Sequence, residues 1–489
     1  MATARPHVVL LTSPGAGHVL PVLELATRLA AHHGFTATII TYASVSSHSS
    51  PLQASLPPGV SVAVLPEVSL DDLPSDAHIV TRILTLARRS LPHLRVLLRS
   101  FLDDSPAGVS AFLTDMLCPA ALAVAAELGV PRKYVFYTSG LMSLASLLYT
   151  PELARTTACE CRDLPDPVVL PGCPVPLKGA DLVDPLQNRS DPVYPLMVGL
   201  GLDYLLADGF LVNTFDAMEH DTLAAFKEVS DKGLYPPAYA VGPFVRACSE
   251  EAGKHGSIRW LDGQPEGSVL YVCFGSGGTL STEQTAELAA GLEASGQRFL
   301  WVVQFPSDKD PSAGYLGTTG ADQGNSPLNY LPEGFVERTS ATGLVVPLWA
   351  PQVEVLNHRA VGGFVSHCGW NSALEAAAAG VPMVAWPLYA EQRMNAVLLE
   401  ERARTALRPR TREAGSVVPR DEVAAVVKEL MAGEKGAAAR ERAGRLRDGA
   451  QMASAPGGPQ QRALAAVVGV WKGGKAIDDH PAADGAGAV

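Results

Sequence analysis

The chain has no apolar run of the roughly 18 residues that a membrane-spanning helix needs, and no basic leader with a cleavage motif before its first strand-like stretch, "HVVLL". It also lacks a CxxC pair. Its 7 cysteines (Cys118, Cys159, Cys161, Cys173, Cys248, Cys273, Cys368) are odd in number and scattered, which argues against a disulfide framework and a zinc knuckle. Positive charge is short: 38 Lys and Arg stand against 50 Asp and Glu, and the net charge of −12 speaks against a nucleic-acid partner. The same balance offers no general attraction to a phosphorylated ligand, so local donors would have to hold one. A cytoplasmic protein that does not span a membrane is expected.

What is present is apolar content in a repeating order. At 489 residues and 47% hydrophobic, the chain can build about two or three cores. Val8 to Leu11, a Ser13-Pro14-Gly15 turn, then Val22, Leu25, Ala26 and Leu29 at helical spacing, then "ATIITY" read as strand, helix, strand, with Pro21 expected in the helix's first turn. "AFLTD" ends a further strand at Asp115, a helix follows from about Pro119, and "KYVFYT" is the next strand. The pattern restarts at "SVLYVCFGSGG", followed by a helix with a capping box at Ser281 and Gln284. "RFLWVV", "GLVVPL", "GGFVSH" and "PMVAWP" then alternate with helical stretches. This predicts two α/β domains with parallel sheets: residues 1–245, a linker at 246–257, a second domain at 258–455, a helix at 456–472 that packs back on the first domain, and a disordered tail at 473–489. Residues 305 to 330 read as a long surface loop.

Ligands of open α/β sheets sit beyond the carboxyl ends of the strands. "FVSHCGWNSALEAAAAG" has that form, with His367 ending a strand, a Gly369 turn and a helix beginning near Asn371. The helix start offers unpaired N–H groups to a diphosphate, His367 adds a donor, and Glu375 can accept from two ribose hydroxyls. "GSGG" at Gly275 to Gly278 can bring backbone N–H groups and Ser276 to the same phosphates. Taken singly, each feature has a plainer reading as a connector, a solvated helix residue or a turn. A metal site at His367 and Cys368 is disfavoured because neighbours on a strand point to opposite faces.

Together the residues from Trp349 to Gln392, "WAPQVEVLNHRAVGGFVSHCGWNSALEAAAAGVPMVAWPLYAEQ", resemble the signature of plant family 1 UDP-dependent glycosyltransferases, and the likeness runs from about residue 6 to 472 through "SPGAGH", "NTFDAMEH" and "YAVGPF". "FGSGGTL" and "PLYAEQ" look most like the hydroquinone and monolignol glucosyltransferases. The resemblance implies a GT-B fold, two Rossmann-like domains facing across a cleft, with UDP-glucose as co-substrate, no cofactor and no metal. It implies that Trp349 stacks on uracil, that Ala350 and Gln352 border the base and ribose, and that Glu375 takes the ribose hydroxyls. Ser276, His367, Asn371 and Ser372 would hold the diphosphate, and Trp370, Glu391 and Gln392 the sugar. Glu391 stands where many relatives carry Asp, one methylene shorter, and Ser366 where Thr is common.

The first turn, "SPGAGH", lacks the third glycine of a dinucleotide fingerprint and the GK[ST] ending of a P-loop. With the nucleotide placed in the second half, His18 is free to act as the base that takes a proton from an acceptor hydroxyl. Asp115 would orient the imidazole, as the carboxylate of a hydrolase triad does. Met116, Leu117 and Cys118 replace the aromatic and glycine residues usual in relatives. "DKD" at Asp308 to Asp310 is the one pair that could suggest a metal-held diphosphate, and its Gly/Ser/Pro-rich setting argues against it. The expectation is an inverting glucosyltransferase, monomeric, acting on a small aromatic acceptor. The rivals are a nicotinamide oxidoreductase, weakened by the missing GxGxxG, and a non-catalytic sensor of UDP-sugars, weakened by the presence of both His18 and Asp115. The apolar "YTSGLMSLASLLY" fits either an aromatic acceptor or core packing.

Overall fold

The computed structural model describes residues 5–43, 56–74, 76–104, 108–315, 325–413 and 415–473. The tail expected beyond Gly473 and the middle of the loop expected over 305 to 330 lie outside these residues.

Seven strands form one parallel sheet: β1 (His7–Leu11), β2 (Thr36–Tyr42), β3 (Val60–Leu65), β4 (Val109–Asp115), β5 (Lys133–Tyr137), β6 (Gly209–Val212) and β7 (Ala238–Ala240), in the order β3-β2-β1-β4-β5-β6-β7 among the described residues. Six more form a second: β8 (Val269–Cys273), β9 (Arg298–Val303), β10 (Gly343–Pro347), β11 (Val361–Ser366), β12 (Met383–Ala385) and β13 (Ala406–Leu407), in the order β10-β9-β8-β11-β12-β13. Both are doubly wound. Strands buried on both faces are continuous apolar runs, as in β8, "VLYVC", where every residue is buried. In each sheet the strand order reverses once, between β1 and β4 and between β8 and β11, and a crevice opens there at the carboxyl ends. Leu11 pairs with Thr114 in the first sheet and Ser366 with Cys273 in the second, so the turns after these strands are neighbours.

Helix Ala16–His33 buries Val22, Leu25, Ala26 and Leu29 on the first sheet and stops at Gly34, whose left-handed backbone (φ 72°) suits a residue without Cβ. Pro21 lies inside this helix, not in its first turn as the sequence pattern suggests. The helix starts earlier than the apolar spacing indicates because Gly15 O accepts from both His18 N and Val19 N, at 3.1 Å each. Pro21 has no N–H for the carbonyl one turn back, that of Gly17. Asn371 Nδ2 donates to that carbonyl from the other domain at 3.0 Å. The capping box before helix Thr282–Ser295 is half made: Ser281 Oγ accepts from Gln284 N at 3.0 Å, while the Gln284 side chain bonds both backbone groups of Val418.

The chain crosses between the domains twice. After the first sheet it runs past Arg246, whose guanidinium pairs with Glu354, into helix Gly256–Asp262. At the other end, helix Pro459–Trp471 lies on the first sheet, where Leu464, Val467, Val468 and Trp471 share a core with Val8, Leu10 and Leu29. Trp471 packs edge-on against Tyr134 and Phe35. No helix among the described residues is long and apolar enough to cross a membrane.

Candidate active site

His18 and Asp115 meet at the first crevice. Helix Ala16–His33 presents His18 in its first turn, Asp115 ends β4, and His18 Nδ1 lies 2.9 Å from Asp115 Oδ2. A carboxylate only accepts, so Nδ1 carries the hydrogen and Nε2 is left as the acceptor. Asp115 is fully buried and held on its other oxygen by Ser13 Oγ and by Leu117 N at 3.0 Å. Thr138 Oγ1 lies 3.3 Å from Asp115 Oδ2 and 3.2 Å from His18 Nδ1, closing a three-way contact. Burial pulls the His18 pKa down, but the Asp115 charge, the hydrogen bond to it and the charge of Glu391 outweigh this and leave it raised above 6.5. Burial likewise disfavours the Asp115 carboxylate, and His18, Ser13 and Leu117 N together hold its pKa below the usual value.

The second crevice collects the residues of the "SHCGWNS" turn and the "GSGG" loop. His367 is wedged between two glycines: a Cβ on Gly275 would lie 2.6 Å from the ring, and one on Gly369 would collide with Nε2. Burial lowers its pKa to about 4, so it is a neutral imidazole, able to donate without bringing a charge. Among the described residues, His367 Nδ1 and Asn371 Oδ1 are buried with no hydrogen-bond partner. Ser276 is exposed at the loop's edge. Gln352 Nε2 bridges Glu375 Oε2 (2.7 Å) and Ser372 Oγ (2.9 Å), while burial raises the Glu375 pKa against that hydrogen bond. Trp349 is 60% exposed, its ring perpendicular to that of His255, and the adjacent Ala350 is buried.

Two expected sugar-contacting side chains are engaged elsewhere. Trp370 is buried, its indole N–H donates to Asn213 O at 2.7 Å, and its ring fills the space a Cβ on Gly140 would take. Its side chain therefore joins the two domains, and only its backbone is left to face a ligand. The Gln392 amide oxygen accepts from Leu388 N (2.9 Å) and Tyr389 N (3.0 Å), which leaves the side chain's donors but not its acceptor. Glu391 Oε1 accepts from Ser139 Oγ at 3.0 Å across the cleft.

Asp308 and Asp310 are engaged by neighbouring donors: Asp308 caps Thr282 N at 2.8 Å and Asp310 accepts from Ser312 N at 2.8 Å and Ser312 Oγ at 2.7 Å. The segment "GLMSLASLLY" is mostly core, with Leu141, Met142, Leu144, Ala145, Leu147 and Leu148 buried in helix Leu141–Thr156. Sequence patterns do not single out Ser13, Thr138, Ser139, Asn213 or Tyr315, all of which complete the site. Tyr315 OH donates to Pro14 O at 3.0 Å, and its ring lies against Gly15 and Gly277, spanning the first turns of both crevices. Backbone strain gives another signal. Leu348, Cys368 and Ala390 are three of the four non-glycine residues with positive φ among those described, and they adjoin Trp349, His367 and Glu391.

The family described as UDP-glucoronosyl and UDP-glucosyl transferase matches residues 248–434. The hydroquinone glucosyltransferase of Rauvolfia serpentina is 43% identical over 470 residues, 96% of this chain and 98% of that one. Among solved structures, a Polygonum tinctorium UDP-glucosyltransferase capable of glucosylating indoxyl, in complex with 3,4-dichloroaniline, superposes with a TM-score of 0.87 at 41% identity, covering 96% of this chain and all (100%) of that one. UGT2 of Phytolacca americana, complexed with UDP-2fluoro-glucose and pterostilbene, superposes with a TM-score of 0.84 at 40% identity and covers 96% and 100% of the two chains.

Proposed function

The chain belongs to the UDP-dependent glycosyltransferases and has their GT-B fold, and from that membership we propose that it moves glucose from UDP-glucose to the hydroxyl of a small phenolic acceptor, inverting the anomeric carbon. The observation that carries this reading is the placement of the His18–Asp115 pair opposite His367 and Asn371, joined by the bond from Asn371 to Gly17 O one residue before His18. A base on one wall and a diphosphate cradle on the other are what in-line attack of an acceptor hydroxyl on an anomeric carbon requires.

His18 Nε2 takes the acceptor proton as its oxygen attacks, and the imidazolium that forms is stabilised by Asp115. The glycosidic C–O bond to UDP breaks on the far side. The neutral His367, Asn371 and the N–H groups opening helix Trp370–Ala379 receive the charge that develops on the leaving diphosphate. No residue of the site needs a metal for this, since the helix start and the imidazole supply the donors. Trp349 offers a face for the base and Glu375 two acceptors for the ribose. Glu391 and the Gln392 amide donors read the glucose, with Trp370 contributing through its backbone. A phenolic acceptor is supported by the compounds named with the relatives, hydroquinone and pterostilbene. The test is UDP release and product analysis with UDP-glucose and a panel of simple phenols. A β-glucoside supports the reading, and an α-glucoside or absence of transfer overturns it.

A further inference from the structure

Away from the cleft, the second domain carries a groove of about 840 Å³ between edge strand β13, the turn after it and helices Arg420–Ala432 and Glu434–Ser454. Its volume lies in the range of small-molecule sites. Ala406, Leu407, Val426 and Ala439 give it an apolar floor. Six cationic side chains, Arg404, Arg408, Arg410, Arg412, Lys435 and Arg442, line it in a chain whose net charge is −12.

Four carboxylates, Glu400, Glu401, Glu422 and Glu429, stand among these six cations, so positive charge is in excess, and three of the four are engaged. Glu400 holds Arg412 at 2.7 Å, Glu422 accepts from Thr411 N at 2.7 Å and Thr411 Oγ1 at 2.9 Å, and Glu429 accepts from the backbone of Lys435 at 2.8 Å. Arg404, Arg410, Lys435 and Arg442 form no ion pair and no side-chain hydrogen bond among the described residues. Arg408 is the more telling. Its side chain is only 5% exposed, it makes no hydrogen bond among the described residues, and its ion-pair partner Glu400 lies 4.0 Å away, with Glu400 Oε2 itself unbonded among them. Burial and the neighbouring Arg412 hold the Arg408 pKa below its usual value. A guanidinium has five donors in a planar fork, and those of Arg408, bonded by no described residue, are free to meet an anion.

We propose that this groove binds a small phosphorylated molecule, with Arg404, Arg408 and Arg410 on the phosphate and the organic part against Ala406 and Leu407. Phosphate fits better than a single carboxylate because several unmatched cations call for more than one negative charge, and guanidinium meets phosphate oxygens in pairs. The site is independent of the catalytic reading.

The experiment is calorimetric titration of the full chain with inorganic pyrophosphate, with UDP present at saturation so that the cleft is filled. Saturable binding near one site per chain is expected, weakening with added salt as an exposed charge cluster must. Arg404→Glu with Arg410→Glu should weaken it at least tenfold, and the milder Arg404→Gln with Arg410→Gln should act in the same direction, both with unchanged melting temperature and UDP affinity. Heat no greater than that of sodium chloride at equal ionic strength, or equal affinity in the wild type and both variants, overturns the proposal.

Discussion

His18 Nδ1 donates to Asp115 Oδ2 at 2.9 Å, which fixes the imidazole by one edge and turns the other nitrogen to the cleft. Removing the ring should separate chemistry from binding. His18→Ala is expected to lower turnover with a simple phenol by roughly 10² to 10⁴ while calorimetric UDP affinity stays near wild type. Asp115→Asn should lose less, since the base remains but is poorly held. Loss of UDP binding in His18→Ala with turnover kept at saturating donor would make the first turn a phosphate loop.

The same pair sets a pH dependence. His18 must be neutral to accept a proton, and its pKa is raised above 6.5, so kcat/KM should fall on the acid side with a midpoint above 6.5. Asp115→Asn removes the charge that raises it, and the midpoint should move down. A midpoint that stays put, or rises, in this variant would detach the acid limb from His18.

Glu375→Ala should raise the dissociation constant for UDP by about tenfold or more, on the order of 1.5–3 kcal/mol for hydrogen bonds to a charged group. Turnover at saturating donor should hold, because the ribose contacts are made in ground and transition states alike. Calorimetry beside steady-state kinetics reads both.

Gly275 has φ 78°, and a Cβ there would press on the His367 ring at 2.6 Å. Gly275→Ala should therefore weaken UDP binding by displacing His367, and cost about 1–2 kcal/mol of stability from the left-handed backbone alone. Isothermal titration and a melting curve check the two effects.

With Asp308 and Asp310 engaged by backbone and hydroxyl donors, full activity is expected in excess EDTA. A large loss restored by Mg²⁺ or Mn²⁺ would reopen the acidic pair as a metal site.

The sequence displays the two parallel sheets because most of their strands are buried on both faces and so form unbroken apolar runs, as in "VLYVC". β3 escapes that reading because "VSVAVL" is exposed or half-buried at its middle positions. The short β6, β7 and β13 escape it because four, three and two residues carry too little pattern. His18, Asp115, His367 and Glu375 are legible because chemistry restricts the residue types at strand ends and helix starts. Ser139 is not, since its meaning lies in a partner 252 residues away, Glu391. Ser13 and Thr138 are likewise ordinary hydroxyls until the fold sets them on Asp115. Pro21 misleads for a local reason: its ordinary place is a helix start, and only the cross-domain donor from Asn371 shows what becomes of the hydrogen bond it removes.

Helix Pro459–Trp471 completes the core of the first domain from the far end of the chain. During synthesis on the ribosome, Val8, Leu29, Phe35 and Tyr134 emerge long before Trp471 exists to cover them. The part of this core that Leu464, Val467, Val468 and Trp471 cover therefore stays open until the second domain has been made. Chaperone demand in the cell should fall on the earlier half of the nascent chain, and release from it should coincide with helix Pro459–Trp471 leaving the exit tunnel.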